Sequence, residues 1–189
     1  MASMILSGDT SGAITVSVPA VAGTNTITIP AVTGTVLTTA STFSGTGPAF
    51  AVYRNTNQSV TTATWTKVTL DTEEFDTNTN FDNTTNYRFT PTVSGYYQIN
   101  GAVAASGTAN TQTTCTCAIY KNGTIYKQGS GWNSASAVTV NMSAVVSAVV
   151  FFNGTTDYVE LYGFNTQTSP VFTGGISQTY LTGAMVRAA

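Results

Sequence analysis

Side chains able to act as nucleophiles or proton shuttles near neutral pH are scarce in this chain, and histidine is missing from all 189 residues. A Ser-His or Cys-His pair is impossible within one copy, and a Ser-Lys variant has only Lys67, Lys121 and Lys127 to draw on. Catalysis is therefore not expected. A glycosidase needs two carboxylates flanking the scissile bond, and the carboxylates available are Asp71, Glu73, Glu74, Asp76 and Asp82, with Asp157 and Glu160 elsewhere. The same cluster offers hard oxygen ligands, so Asp71, Glu73 and Asp76 are candidate calcium ligands, although the spacing is not that of an EF-hand. The plainer alternative, which the sequence favours, is a solvated loop. No cofactor other than this calcium is expected.

Cys115 and Cys117 stand two apart on what reads as a strand, so both point to one face without disulfide geometry. Reduced, partly buried thiols are expected, since a zinc site would need ligands from other copies. Trp132 and Asn133, set in Gly129-Ser130-Gly131-Trp132-Asn133-Ser134, read as an exposed loop. Its indole either stacks on a sugar or folds back onto the core.

The elements that must carry these residues follow from composition and turn signals. Hydrophobic residues make up 42% and charged ones 7%, against roughly 25% charged in an average globular protein. Apolar residues are plentiful enough to bury a core. A net charge of -2 gives no basis for holding a nucleic-acid backbone, and weak self-repulsion suits a chain that works in an assembly. The first ten residues lack the basic and continuous apolar stretches of a signal peptide. The longest apolar run, Val138 to Phe152, is too short to cross a bilayer as a helix and reads as a buried strand.

The chain divides into an N-terminal arm (1–36), a Thr/Ser/Gly-rich linker (37–47) and a body (48–189). In the arm, Thr15-Val16-Ser17-Val18-Pro19-Ala20-Val21-Ala22-Gly23 returns as Thr26-Ile27-Thr28-Ile29-Pro30-Ala31-Val32-Thr33-Gly34. Each copy is a short β-branched run stopped by Pro and Gly, hence a strand and a turn. Two such strands cannot bury a core alone, which makes Val16, Val18, Ile27 and Ile29 candidate attachment residues. The body reads as many short strands with turns between them, the pattern of a sandwich or barrel. Asn122-Gly123, between Ile119-Tyr120-Lys121 and Thr124-Ile125-Tyr126, predicts a two-residue hairpin. Three strands look covered on both faces: Tyr96 to Ala105, Tyr158 to Phe164 and Tyr180 to Val186. A second covered face needs a partner surface, and Tyr96, Tyr158, Tyr162, Phe164 and Tyr180 are the candidate interface residues of a cyclic homo-oligomer.

The body resembles the C1q-like domain of the C1q and tumour-necrosis-factor jelly-roll superfamily. The resemblance rests on the order of Pro48-Ala49-Phe50-Ala51-Val52-Tyr53-Arg54, Gly95-Tyr96-Tyr97-Gln98-Ile99, the Asn122-Gly123 hairpin, Asp157-Tyr158-Val159-Glu160-Leu161 and Tyr180-Leu181-Thr182-Gly183-Ala184. It implies an all-β, ten-stranded jelly-roll β-sandwich forming a tight homotrimer. Trp65 to Leu70 fits only loosely, and no collagen-like stalk is present. In place of a stalk, Ser11 to Val36 resembles a segment of tailed-phage fibre and virion proteins. The two resemblances together imply a virion structural protein on the particle exterior. Its arm would bind other virion proteins and its head a host-surface polysaccharide or protein. Capsid decoration, and a bacterial surface or spore-coat C1q-like protein, are the alternatives.

Overall fold

The computed structural model describes residues 3–7, 13–17, 47–138 and 142–189. Among them every regular element is a strand, and no helix is long and apolar enough to cross a membrane. The chain separates into two compact units, residues 1–38 and 39–189.

In the first unit β1 (Ser3–Ser7) pairs antiparallel with β2 (Ala13–Ser17), from Ser3 opposite Ser17 to Ser7 opposite Ala13. The first repeat copy thus begins in a strand, with Val16 opposite Met4. Val18, Ile27 and Ile29 lie outside the described residues.

The second unit runs β3 (Ala49–Tyr53), β4 (Gln58–Ser59), β5 (Thr66–Lys67), β6 (Thr72–Asp76), β7 (Phe81–Asp82), β8 (Arg88–Phe89), β9 (Gly95–Ser106), β10 (Gln112–Lys121), β11 (Thr124–Val138), β12 (Met142–Phe152), β13 (Val159–Asn165), β14 (Val171–Phe172) and β15 (Tyr180–Ala188). These strands, more numerous than the ten expected because several are two-residue fragments, form two antiparallel sheets. The larger, seven-stranded sheet has the order β4-β14-β9-β15-β3-β6, with β12 on the free side of β9. The smaller, six-stranded one has the order β11-β10-β13-β8-β7, with β5 on β13.

Period-two alternation sends Tyr97, Ile99 and Val103 of β9 inward to meet Val159 and Leu161 of β13, Cys115, Cys117 and Ile119 of β10 and Leu181 of β15. Phe50, Phe89, Tyr97 and Phe152 close one end of this core, with Phe50 stacked on Phe89 at 4.1 Å and Tyr97 edge-on to Phe152 at 5.1 Å. The Tyr97 hydroxyl donates to the Val93 carbonyl at 2.8 Å, and burial pushes its pKa up to about 12. The Asn122-Gly123 turn is present as read, with both residues at positive φ, 51° and 81°.

Two expectations change. Residues 72–76 are not loop: they form the edge strand β6, paired with β3 from Phe50–Asp76 to Tyr53–Thr72. The run from Val138 to Phe152 is not one buried strand. Val138 ends β11, Met142 opens β12, and along β12 Ala144, Val146, Val150 and Phe152 face the core while Val145, Val149 and Phe151 lie open.

Candidate functional site

The acidic candidates do separate structural work. Asp71 pairs with the Arg54 guanidinium and accepts the Asn55 backbone N–H at 2.9 Å. Asp76 accepts the backbone N–H groups of Phe81 at 2.6 Å and Asn78 at 3.2 Å, shaping the turn after β6. Glu73 is exposed, and partial desolvation together with the Asp76 charge holds its carboxyl above the usual range. Asp82 accepts the N–H groups of Thr84, Thr85 and Asn86 and the Asn86 side-chain amide, which hold it well below that range. Glu160, nearly buried, meets Lys67 at 2.7 Å. Asp157 accepts from the Asn122 amide at 2.8 Å and pairs with Lys121 at 3.0 Å, and the Asn122 bond leads in lowering its pKa. Among the described residues no three Asp, Glu, Cys or His side chains converge, so Asp71, Glu73 and Asp76 are not brought together.

Cys115 and Cys117 share the inward face of β10 as free thiols, and burial pushes them up to about 11 and about 12. Deprotonation, and with it nucleophilic reactivity, is suppressed in the native state.

Trp132 and Asn133 are not a loop. They sit in the fifteen-residue strand β11, with Trp132 opposite Cys115 and Asn133 opposite Thr114, whose hydroxyl donates to Asn133 at 3.2 Å. Gly129 and Ser130, two of the residues that suggested a loop, sit where β11 passes close beside β12. A Cβ on Gly129 would overlap the Val145 carbonyl. The Ser130 hydroxyl accepts the Val145 N–H at 3.0 Å and donates to the Val145 carbonyl at 3.1 Å, standing in for a ladder pair.

The five candidate interface residues fall on opposite faces of the sandwich. Tyr158, Tyr162 and Phe164 point outward from β13 and its entry in the smaller sheet. There Tyr162 stacks on Tyr120 at 3.7 Å, Trp65 packs on Phe164 at 5.5 Å, and Arg88 lies 4.3 Å over the Tyr158 ring. These half-buried rings largely cover one another, and burial raises the pKa of Tyr120 and Tyr162. Tyr96 and Tyr180 point outward from β9 and β15 in the larger sheet.

On that larger face Tyr96, a sequence candidate, is joined by Phe75, Val145, Val149, Phe151 and Val186, which were not among the candidates, and all six are 41–57% exposed on its outer side. Tyr96 and Phe151 meet at 5.3 Å and form a ridge at the β9/β12 edge. Toward the other edge, Ala49, Ala51, Ala184 and Phe75 border a depression of about 290 Å3. Gln98 and Asn100 also line this depression, and their side chains and that of Ser147 are bonded to one another at 2.8–3.1 Å. A legible signal existed: the outward positions of β12 turn from Ser143 and Ser147 to the large apolar Val149 and Phe151 toward its end, where a strand with one wet face would keep polar residues.

No protein-family model matches the chain, and no curated protein does. Solved structures do. The globular domain of zebrafish complement 1qA is 18% identical, with 75% of this chain and 99% of that chain covered and a TM-score of 0.53. The Eiger TNF of S. frugiperda is 12% identical over 76% of this chain and 95% of its own, with a TM-score of 0.52. Murine APRIL is 9% identical over 74% and 98%, with a TM-score of 0.53. The fold is the C1q and tumour-necrosis-factor jelly roll. In this jelly roll the open apolar face belongs to the sheet built on β3, β15, β9 and β12, while the aromatic stripe of Trp65, Tyr120, Tyr162 and Phe164 lies on the other sheet.

Proposed function

We propose that the chain is a non-enzymatic structural and binding protein whose jelly-roll head assembles as a homotrimer through the outer face of the larger sheet. The observation that carries this is the row of large apolar side chains left in water there: Phe75, Tyr96, Val145, Val149, Phe151 and Val186. Scattered apolar residues are ordinary on a surface, whereas a contiguous patch marks an interaction site. The face also carries two hollows, one of about 530 Å3 beside Tyr96, Val149 and Val186 and one of about 290 Å3 beside Ala49, Ala51, Ala184 and Phe75, which the side chains of a neighbouring copy in a cyclic assembly would fill. Three subunits are what the jelly-roll resemblance implies.

The biological setting we propose is a phage virion, with the repeat arm as attachment segment and the head turned toward a host surface. The repeated Pro- and Gly-stopped β-branched runs in the sequence of the arm support this reading. Light scattering on the full chain tests the assembly: a particle of three 19.6 kDa chains is expected, and a monomer in dilute solution overturns it. Pull-downs on bacterial cells and on assembled phage shells test the setting. Binding to cells supports the fibre role, binding to shells replaces it with capsid decoration, and binding to neither overturns the virion reading.

A further inference from the structure

The two Asn-Gly turns, Asn122-Gly123 and Asn153-Gly154, meet at one end of the sandwich around a single carboxylate. Asp157 accepts the Asn122 side-chain N–H through one oxygen at 2.8 Å, and the Lys121 ammonium at 3.0 Å and Asn153 backbone N–H at 3.1 Å through the other. The Asn122 side-chain oxygen Oδ1 accepts the Tyr158 N–H at 3.0 Å. A carboxylate only accepts and an N–H only donates, so these neighbours fix which way the amide points. Asn122 is thus a latch that ties the β10–β11 hairpin tip to the loop entering β13.

We propose that Asn122-Gly123 is a site of spontaneous deamidation in the folded protein, favoured over Asn153-Gly154, and that the conversion releases this latch. Gly123 has no side chain to shield its amide nitrogen. After losing its proton to solvent base, that nitrogen attacks Asn122 Cγ. The N–Cγ bond forms, the Cγ–Nδ2 bond breaks and ammonia leaves, giving a five-membered imide. Water then opens the ring at either carbonyl, to aspartate or to isoaspartate. The Tyr158 N–H lies where negative charge develops on Oδ1 during the attack, in the manner of an oxyanion donor.

The second turn is held shut. Asn153 Oδ1 accepts three backbone N–H groups, from Thr155, Thr156 and Asp157, at 3.0–3.1 Å. The Gly154 Cα lies against the Ser94 backbone, where an added Cβ would fall 2.6 Å from the Ser94 nitrogen, whereas at Gly123 the nearest neighbour is the Tyr158 hydroxyl at 3.6 Å. Swinging Asn153 onto the Gly154 nitrogen therefore requires the whole loop to open. Asn122 needs a smaller opening: its amide must leave Asp157, its backbone bond to the Tyr158 carbonyl at 3.2 Å must loosen, and the last hairpin pair, Lys121 opposite Thr124, must fray. In the product a carboxylate stands where Asp157 had its amide donor, and like charges at that separation repel.

The test is peptide mass spectrometry on the full chain aged at mildly alkaline pH. Acid is expected to accumulate several-fold faster at position 122 than at 153 in folded protein, with the two rates converging in denaturant. Equal rates in folded protein, or a faster rate at 153, overturn the proposal. The release of the latch is read from Asn122→Asp, in which the Tyr158 amide should exchange hydrogen several-fold faster than in the parent chain. Unchanged exchange there overturns that part.

Discussion

Asp82 shows how a carboxylate that invites a metal reading serves the fold instead. It ends β7, and its two oxygens accept three successive backbone N–H groups and an amide within five residues, closing the turn toward β8. Those bonds favour the ionised form and depress its pKa in the folded state. The stability Asp82 contributes is therefore fully present above the unfolded carboxylate value of about 3.9 and is lost as pH falls below it toward the folded value. Asp82→Asn keeps one acceptor oxygen and loses the charge. Thermal melts of this variant should show a loss of roughly 1 kcal/mol at neutral pH and a shallower decline on acidification than the parent chain. An unchanged acid limb would contradict this assignment.

At the scale of elements, the close approach of β11 and β12, which belong to different sheets, is where local sequence and tertiary demand disagree. Gly129 is tolerated in a strand because β12 leaves no room for a side chain. Gly129→Ala should cost about 1–3 kcal/mol by overpacking, read by chemical denaturation, while a neutral effect would mean the strands separate freely. The same pair marks the limit of what the sequence could tell. That β9, β13 and β15 are strands with two covered faces was legible in the sequence, though not which face is the core, and the β10–β11 hairpin was legible from Asn122-Gly123. The Gly129–Ser134 stretch was misread because Gly and Ser are turn formers in isolation, and a close approach of two strands distant in pairing leaves no local trace. Residues 72–76 were misread for a related reason: charged residues on an edge strand look like loop until the strand beside them is known. The interface candidates were chosen strand by strand, and a single strand does not reveal which sheet it joins. Tyr162 and Tyr96 thus seemed alike although they face opposite ways.

At the scale of the whole molecule, that opposition gives a clean experiment. Both sheets carry aromatic residues outward, but they differ in how those rings are used. On the smaller sheet Tyr162 is already stacked on Tyr120 and Phe164 is packed by Trp65, so much of their apolar surface is covered within one chain. On the larger sheet Val149 and Phe151 project into water, with 51% and 41% of their surface exposed. A charge placed in a desolvated interface is strongly unfavourable, whereas one on a solvated face costs little. Val149→Asp should therefore convert the assembly to monomers in light scattering while leaving the fold intact by circular dichroism, since that side chain contributes nothing to the core. Tyr162→Asp should do the reverse, lowering the melting temperature through loss of its ring stack while the particle mass is retained. If Tyr162→Asp dissociates the assembly and Val149→Asp does not, the subunits meet through the smaller sheet, and the open apolar face must be covered by something else.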